Sequence, residues 1–308
     1  MNRRTFLQYS TVAGASLLIP QGLNAASFLG EEYSEHKLTI LHTNDVHSRI
    51  EPFPMDGGKN QGQGGIAKRA ALLKKIRSEE KNILLLDAGD MFQGTPYFNY
   101  FNGELEIKLM SQLGYDAGTI GNHDFDAGID NLKKQLSHAN FTMINSNYNF
   151  EDTVMNGAVL PYKIIKKGPL KIGITGVGVE LNGLVPAPLF KETQYRNPIE
   201  SAEKYADILK NDYNCDYVIC LSHLGYAYKD GKVSDLLLAS ESKYIDLIIG
   251  GHSHTFLDKP TLVKNKEDKE VLVTQAGWAG IVLGRIDVYF ERSMKKKCIQ
   301  CNNIAVGS

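Results

Sequence analysis

Five short apolar runs in this 308-residue chain each stop on the residue types that hold metals and phosphates. Residues 38–41 run into Asp45-Val46-His47, and residues 83–86 into Asp87-Ala88-Gly89-Asp90. Residues 117–120 run into Gly121-Asn122-His123-Asp124-Phe125-Asp126. Residues 217–221 lead to Ser222-His223, and residues 245–249 to Gly250-Gly251-His252-Ser253-His254. Apolar, β-branched runs of this length are strand signals. Loops at the carboxyl ends of such strands are where α/β folds place their ligands. Glycine beside them lets the backbone turn sharply and come close to an ion. Five of the eight histidines lie at these ends. A single histidine there is more often a core or surface residue than a ligand, but five such strand ends in one chain are not explained that way.

The rest of the chain supports the same class. Further strands are predicted over 172–177, 271–274 and 281–290. Helices are predicted over 66–79, 104–113, 129–138, 198–210 and 233–240. Strand–helix alternation argues for an α/β fold with helices on the sheet faces. The last two strands follow each other across a short loop with Gly277 and Gly280, which suggests a second, partly antiparallel sheet region. No Pro-, Gly- or Ser-rich linker interrupts residues 37–292, so a single domain is expected there. Residues 27–36 form a short extension before it. The polar tail, 293–308, is expected to be disordered or a junction.

Carboxylate, amide and imidazole candidates without a thiolate suit Mn²⁺, Zn²⁺, Fe²⁺ or Co²⁺. Seven candidates are present: Asp45, His47, Asp90, Asn122, His223, His252 and His254. One ion needs three or four ligands, so seven fit two ions that share a bridge. Asp90, with two carboxylate oxygens, is the natural bridge. Two ions about 3.5–4 Å apart clamp the attacking and leaving oxygens of a displacement at phosphorus. Phosphoryl transfer or hydrolysis is therefore the leading chemistry.

The motifs containing Asn44-Asp45-Val46-His47, Asp87-Ala88-Gly89-Asp90, Gly121-Asn122-His123-Asp124 and Gly250-Gly251-His252-Ser253-His254 resemble those of the calcineurin-type metallophosphoesterases, more closely their 5′-nucleotidase branch. The resemblance runs from Lys37 to Arg292. It implies a four-layer α/β/β/α sandwich with a dinuclear site where the two sheets meet. It places Asp45, His47 and His254 on one ion and Asn122, His223 and His252 on the other, with Asp90 between them. A hydroxide bridging both ions would be the nucleophile. His123 would lie close to the phosphate, stabilise developing charge and help protonate the leaving oxygen. Asp126 would orient that imidazole; its rival role is a helix cap ahead of Ile129. Asp124 is expected to support the site from behind. The family's second, C-terminal domain, which grips base and ribose, has no counterpart in this sequence. A separate partner chain would supply it, or the protein would be a less selective phosphatase.

With 34 Lys+Arg against 35 Asp+Glu the chain has no basic excess, so nucleic acid is not an expected partner. Residues 1–26 have the form of an export signal: Arg3 and Arg4, a short apolar run over 11–19, then Ala25 and Ala26. Arg3-Arg4-Thr5-Phe6-Leu7 resembles a twin-arginine signal, the other reading being an ordinary secretory one. Either implies an exported protein, in the periplasm, and no run reaches membrane-spanning length. The glycines at 57, 58, 62, 64 and 65 fit no P-loop and are expected to form a loop before the first helix. Tyr97, Phe98, Tyr100 and Phe101 are expected to pack against the next helix rather than flank a substrate. Cys298 and Cys301 lack a second pair for zinc, and Cys215 and Cys220 are expected to be buried. The leading function is hydrolysis of phosphate monoesters, 5′-nucleotides above all. The alternatives are a 2′,3′-cyclic nucleotide phosphodiesterase or UDP-sugar pyrophosphatase, a sulfur-ester hydrolase, and a non-catalytic metal-binding partner.

Overall fold

The computed structural model describes residues 36–291 and 296–307. The expected export segment, residues 1–26, lies outside them. Two sheets form the centre. The first contains β1 (His36–Thr43), β2 (Ile83–Asp87), β3 (Ala117–Gly118) and β4 (Thr142–Met143), all parallel. A two-stranded ribbon, β5 (Tyr148–Asn149) and β8 (Gln194–Tyr195), stands apart. The second sheet has the order β11-β12-β10-β9-β7-β6. Its strands are β6 (Tyr162–Lys167), β7 (Leu170–Gly178), β9 (Tyr217–His223), β10 (Leu247–Gly250), β11 (Thr261–Lys264) and β12 (Glu270–Thr274). Its four central strands are parallel, and its edge strands β6 and β11 are antiparallel. β13 (Val282–Phe290) returns to the first sheet antiparallel to β1, and β14 (Lys296–Cys301) and β15 (Ile304–Ala305) pair with it.

Both faces of the central strands are apolar, and alternate side chains serve different cores. Leu38, Ile40, Leu84 and Leu86 from the first sheet meet Ile172, Ile174, Ile219, Leu247 and Ile249 from the second, with no helix between. On the first sheet's outer face, Leu41 and Leu85 pack under α1 (Ile66–Glu79), α3 (Glu104–Leu113) and α4 (Ile129–Leu136); the short α2 (Pro96–Phe101) precedes α3. On the second sheet's outer face, Val218, Cys220, Ile248 and Val273 pack under α6 (Pro198–Asp207) and α7 (Asp235–Glu241); α5 (Ala187–Phe190) is a single turn. Three cores make four layers, α/β/β/α. Local signals set the helix starts: Asn197 caps α6 by accepting from the N–H groups of Ile199 and Glu200, with Pro198 first in the helix, and Ser234 caps α7.

The second sheet is partly antiparallel, as expected, through β11 and β6, and one expectation fails. The strands at 271–274 and 281–290 lie in different sheets. The turn through Gly277 and Gly280 carries the chain from one sheet to the other, because β13 finds its ladder on β1. The tail is not disordered over residues 296–301: β14 pairs with β13, and its alternate residues Ile299 and Cys301 pack against the inter-sheet core. The inter-sheet contact predicts that Leu86→Ala lowers unfolding free energy by about 3 kcal/mol in a denaturant titration, whereas Leu262→Ala, on an exposed edge position, changes it by less than about 0.5 kcal/mol.

Candidate metal centre

The parallel ladders bring the polar strand ends side by side. Past Thr43 and Asp87, the loops after β1 and β2 go on pairing: the N–H of Asp45 donates to Gly89 O at 2.9 Å, that of His47 to Asp90 O at 3.1 Å, and that of Ser48 to Met91 O at 2.9 Å. The second sheet meets this edge directly. The N–H of His252 donates to both carboxylate oxygens of Asp45 at 3.0 Å. His223 Nδ1 lies 2.7 Å from the Ala88 carbonyl. All seven residues predicted as ligands come together here.

Two clusters result, Asp45–His47–His254 and Asp90–His223–His252, with the ligand atoms of each within 4.8 Å of one another. Asn122 joins the second through its Oδ1, 2.8 Å from His252 Nδ1. Asp90 Oδ2 lies 3.1 Å from His223 Nε2 and 3.8 Å from His47 Nε2, so it faces both clusters. The histidine tautomers follow from their outer contacts. Carbonyls only accept, so Nδ1 of His223 donates to Ala88 O, and Nδ1 of His47 donates to Phe92 O at 3.1 Å. In the neutral ring each Nε2 lone pair therefore points inward, because the outer hydrogen bond of a metal-binding histidine fixes which nitrogen is free. His223 Nε2 is buried and makes no hydrogen bond. His47 Nε2 and His254 Nε2 face each other at 3.0 Å. Imidazole nitrogens and carboxylate oxygens crowd together here, and this oxygen–nitrogen set fits two divalent ions.

The electrostatics agree with the geometry. Burial works to lower His223, but the adjacent Asp90 charge outweighs it and pushes the imidazole up to about 10. Burial likewise works to raise Asp90, and His223 holds it well below the usual carboxylate range. That proton sits on Nε2, between His223 and Asp90, where a divalent ion would otherwise lie. His252 is driven down to about 4 by burial and the charge of His223, and burial lowers His47, so both favour the neutral, metal-binding form.

The backbone is bent to achieve this. Asp45, His47, Asp90, His252 and His254 have φ of 49°, 50°, 55°, 70° and 51°, all in the left-handed region. Each such residue costs roughly 1 kcal/mol or more. Glycine is needed where the loops touch: a Cβ on Gly121 would lie 2.2 Å from Asp90 Oδ1, and one on Gly251 2.8 Å from Ala88 O.

Supporting residues surround the clusters. The buried Asp124 carboxylate accepts the N–H groups of Gly121 (2.8 Å), Met91 (2.9 Å), Asp90 (3.1 Å) and Phe92 (3.2 Å), which fixes the Asp90 loop. His123 stands beside the clusters and belongs to neither. Its Nδ1 is 2.8 Å from Asp126 Oδ2, its N–H donates to Asp90 Oδ1 at 2.8 Å, and the Asp126 bond raises its pKa. Asp126 does not cap α4, whose N-cap position is Gly128 without a side-chain bond. Sequence reasoning missed three residues. Asn44 donates to Asp45 Oδ2 and Gly277 O, both at 2.6 Å, and accepts the Ala276 N–H at 2.8 Å. Gln275 donates to Asp235 and Gly251 O at 2.8 and 2.9 Å. Trp278 stacks on His254 with ring centroids 5.8 Å apart and planes at 8°. Only Asn44, directly before Asp45, had a local signal. Of the aromatic group after Asp90, Phe98 is buried against Phe92, whereas Tyr100 is 80% exposed.

The profile of the calcineurin-like phosphoesterase family matches residues 38–256. A snake venom 5′-nucleotidase from Gloydius brevicauda is 36% identical over 277 residues, covering 83% of this chain and 45% of its own. The structure of a 5′-nucleotidase precursor from Thermus thermophilus superposes with a TM-score of 0.80 at 34% identity, over 88% of this chain and 55% of that one. NAD nucleotidase from Haemophilus influenzae gives 0.77 at 27% identity, over 88% and 56%. The chain spans about half the length of the curated relatives it matches. The clamp on the Asp90 loop predicts that Asp124→Ala weakens metal binding by about 10–100-fold. Competition with a chromogenic chelator measures this, and unchanged affinity would show that the clamp is dispensable.

Proposed function

Since the chain belongs to the calcineurin-like phosphoesterase family, we propose that it hydrolyses phosphate monoesters, 5′-nucleotides above all, to alcohol and phosphate. The observation that carries this reading is Asp90, a carboxylate facing histidines of two clusters at 3.1 and 3.8 Å. In the proposal Asp45, His47 and His254 hold one divalent ion, Asn122, His223 and His252 hold the other, and Asp90 serves both. Mn²⁺, Zn²⁺, Fe²⁺ and Co²⁺ all suit the donors. When bound, such a pair supplies Lewis acidity at phosphorus and a water activated at neutral pH.

The chain's own groups do the rest. With Nδ1 of His123 committed to Asp126, Nε2 is the atom left to meet a phosphate oxygen. The raised pKa keeps that imidazole charged closer to neutrality. It can therefore offset charge gathering on the phosphate and deliver a proton to the leaving oxygen. Asp126 positions the ring and favours its charged form. The names of the similar proteins, 5′-nucleotidases and an NAD nucleotidase, support a nucleotide substrate. The NAD nucleotidase likeness also favours a second reading, cleavage of a pyrophosphate such as that of a UDP-sugar, at the same site. Base and ribose would be gripped by a separate partner chain or by this chain. The proposed setting is the periplasm, after removal of residues 1–26; no helix among the described residues is long and apolar enough to cross a membrane.

Hydrolysis by the mature protein with Mn²⁺ or Zn²⁺ tests this, read as phosphate release from nucleoside monophosphates and an aryl phosphate and as nucleoside monophosphate formed from 2′,3′-cyclic nucleotides and a UDP-sugar, with a chelated control. Metal-dependent release, fastest from 5′-nucleotides, is expected; no release from any ester would sink the proposal. His123→Ala should lower turnover by about 10²–10⁴-fold with metal content intact. Loss of metal in that variant would make His123 a ligand instead.

A further inference from the structure

The loop that carries His252 and His254 takes its shape from one buried amide. Gln275, 0% exposed, is the first residue past β12, and the pairing of Ile249 with Thr274 sets it next to Gly250. Its two amide hydrogens go to Asp235 Oδ2 at 2.8 Å and to Gly251 O at 2.9 Å. Its oxygen accepts the Thr255 N–H at 3.1 Å and the Ser253 hydroxyl at 3.2 Å. A glutamine has two amide donors and two lone pairs, so this capacity is filled. A backbone carbonyl on one side and a backbone N–H on the other fix which way the amide faces. The three contacts with the loop fall on residues 251, 253 and 255. Between them stand the two histidines, one in each ligand cluster. We propose that Gln275, braced by Asp235, is a positioning residue that templates this loop, spacing His252 from His254 so that each cluster receives its ligand. This rests on the proposed two-ion centre and names the side chain that joins its halves.

The brace is fitted as closely as the template. Ser222 at the end of β9, Gly250 at the end of β10 and Gln275 just past β12 lie abreast, because Gly250 pairs with Ser222 and Ile249 with Thr274. Asp235, the first residue of α7 and also buried, sits across them. Its Oδ1 accepts the Ser222 hydroxyl at 2.6 Å and its Oδ2 the Gln275 amide, while its own N–H donates to Gly225 O at 2.8 Å. A Cβ on Gly250 would stand 1.9 Å from Asp235 Oδ2 and 2.8 Å from Gln275 Nε2, so only glycine leaves room for the pair to meet. A buried carboxylate without donors is strongly unfavourable. Here both oxygens are satisfied by groups that lead to ligands: Ser222 precedes His223, and Gln275 holds the loop of His252 and His254. Those two histidines have φ of 70° and 51°, and such residues persist only where their surroundings over-determine them. The loop is fastened outside as well, where Ser253 Oγ lies 2.9 Å from Thr255 Oγ1 and accepts the Tyr226 N–H at 2.9 Å. An apolar residue at 275 would deprive the Thr255 N–H and Asp235 Oδ2 of their partners at once.

Co²⁺ suits these donors, and its visible absorption counts the ions taken up by mature protein stripped with a chelator and dialysed. Trp278, the only tryptophan in the chain, stacks on His254, so quenching of its emission follows the first cluster separately. Wild type is expected to take up two Co²⁺. Gln275→Leu, and Gln275→Glu, which turns a carboxylate toward Asp235, are expected to weaken both ions by about 10–100-fold. Adding Asp235→Asn to Gln275→Glu sets a donor opposite an acceptor again and should recover roughly tenfold of that loss. Ser253→Ala, at an exposed position, should weaken binding by about three- to tenfold and decides the matter if the buried variants do not fold. Folded Gln275 variants that take up Co²⁺ as wild type does, whatever their melting midpoints, would overturn the proposal. Without them, unchanged binding in Ser253→Ala would do the same. Fewer than two ions in wild type would sink the two-ion centre and the template together. Two ions in wild type, weakened in the variants but with no ester hydrolysed, would support the template and remove only the hydrolytic reading.

Discussion

A buried carboxylate, Asp90, is the constraint on which the rest of the structure depends. It is 1% exposed and charged, in a region where an unpaired ion costs several kcal/mol. Its environment is built to keep it ionised and aimed. His223 from the second sheet approaches Oδ2, the N–H of His123 donates to Oδ1, and Asp124 grips the peptide groups of residues 90–92. None of these partners is near it in sequence. Pairing of β2 with β3 in one sheet, and the stacking of the second sheet against it, bring β2, the segment after β3 and the end of β9 to one point.

That stacking explains why two ligand clusters form rather than one. The first sheet supplies Asp45, His47, Asp90 and Asn122, and the second supplies His223, His252 and His254. Neither set is complete alone. The His252 N–H bonds to Asp45 and the Asn44 bonds to Gly277 and Ala276 fasten the two edges together. The left-handed residues follow from the same need. A side chain at a strand end points along the strand's own alternation unless the backbone reverses, and five of the seven candidates sit on such a reversal. Their cost is offset by the loop-to-loop backbone hydrogen bonds. A site of this kind trades stability for geometry.

The strands and their polar ends were legible because their apolar runs are uninterrupted and the candidate metal ligands follow at once. Helix α1 was legible to the residue, with Gly65 before Ile66 as its start signal. The edge strand β6 was not, since Lys163, Lys166 and Lys167 mask its alternation, as charge on edge strands commonly does. β14 has only Ile299 and Cys301 to mark an inward face. The switch of sheets at Gly277–Gly280 depends on which strand β13 pairs with, and that is decided by β1, at the far end of the described sequence. Gln275 and Trp278 act through tertiary contacts alone.

The most direct test of the account is metal-edge anomalous diffraction from crystals of the mature protein grown with Mn²⁺. The account predicts two peaks about 3.5–4 Å apart, one among Asp45, His47 and His254, the other among Asn122, His223 and His252, with Asp90 in contact with both. A single ion, or two ions that do not share Asp90, would contradict it.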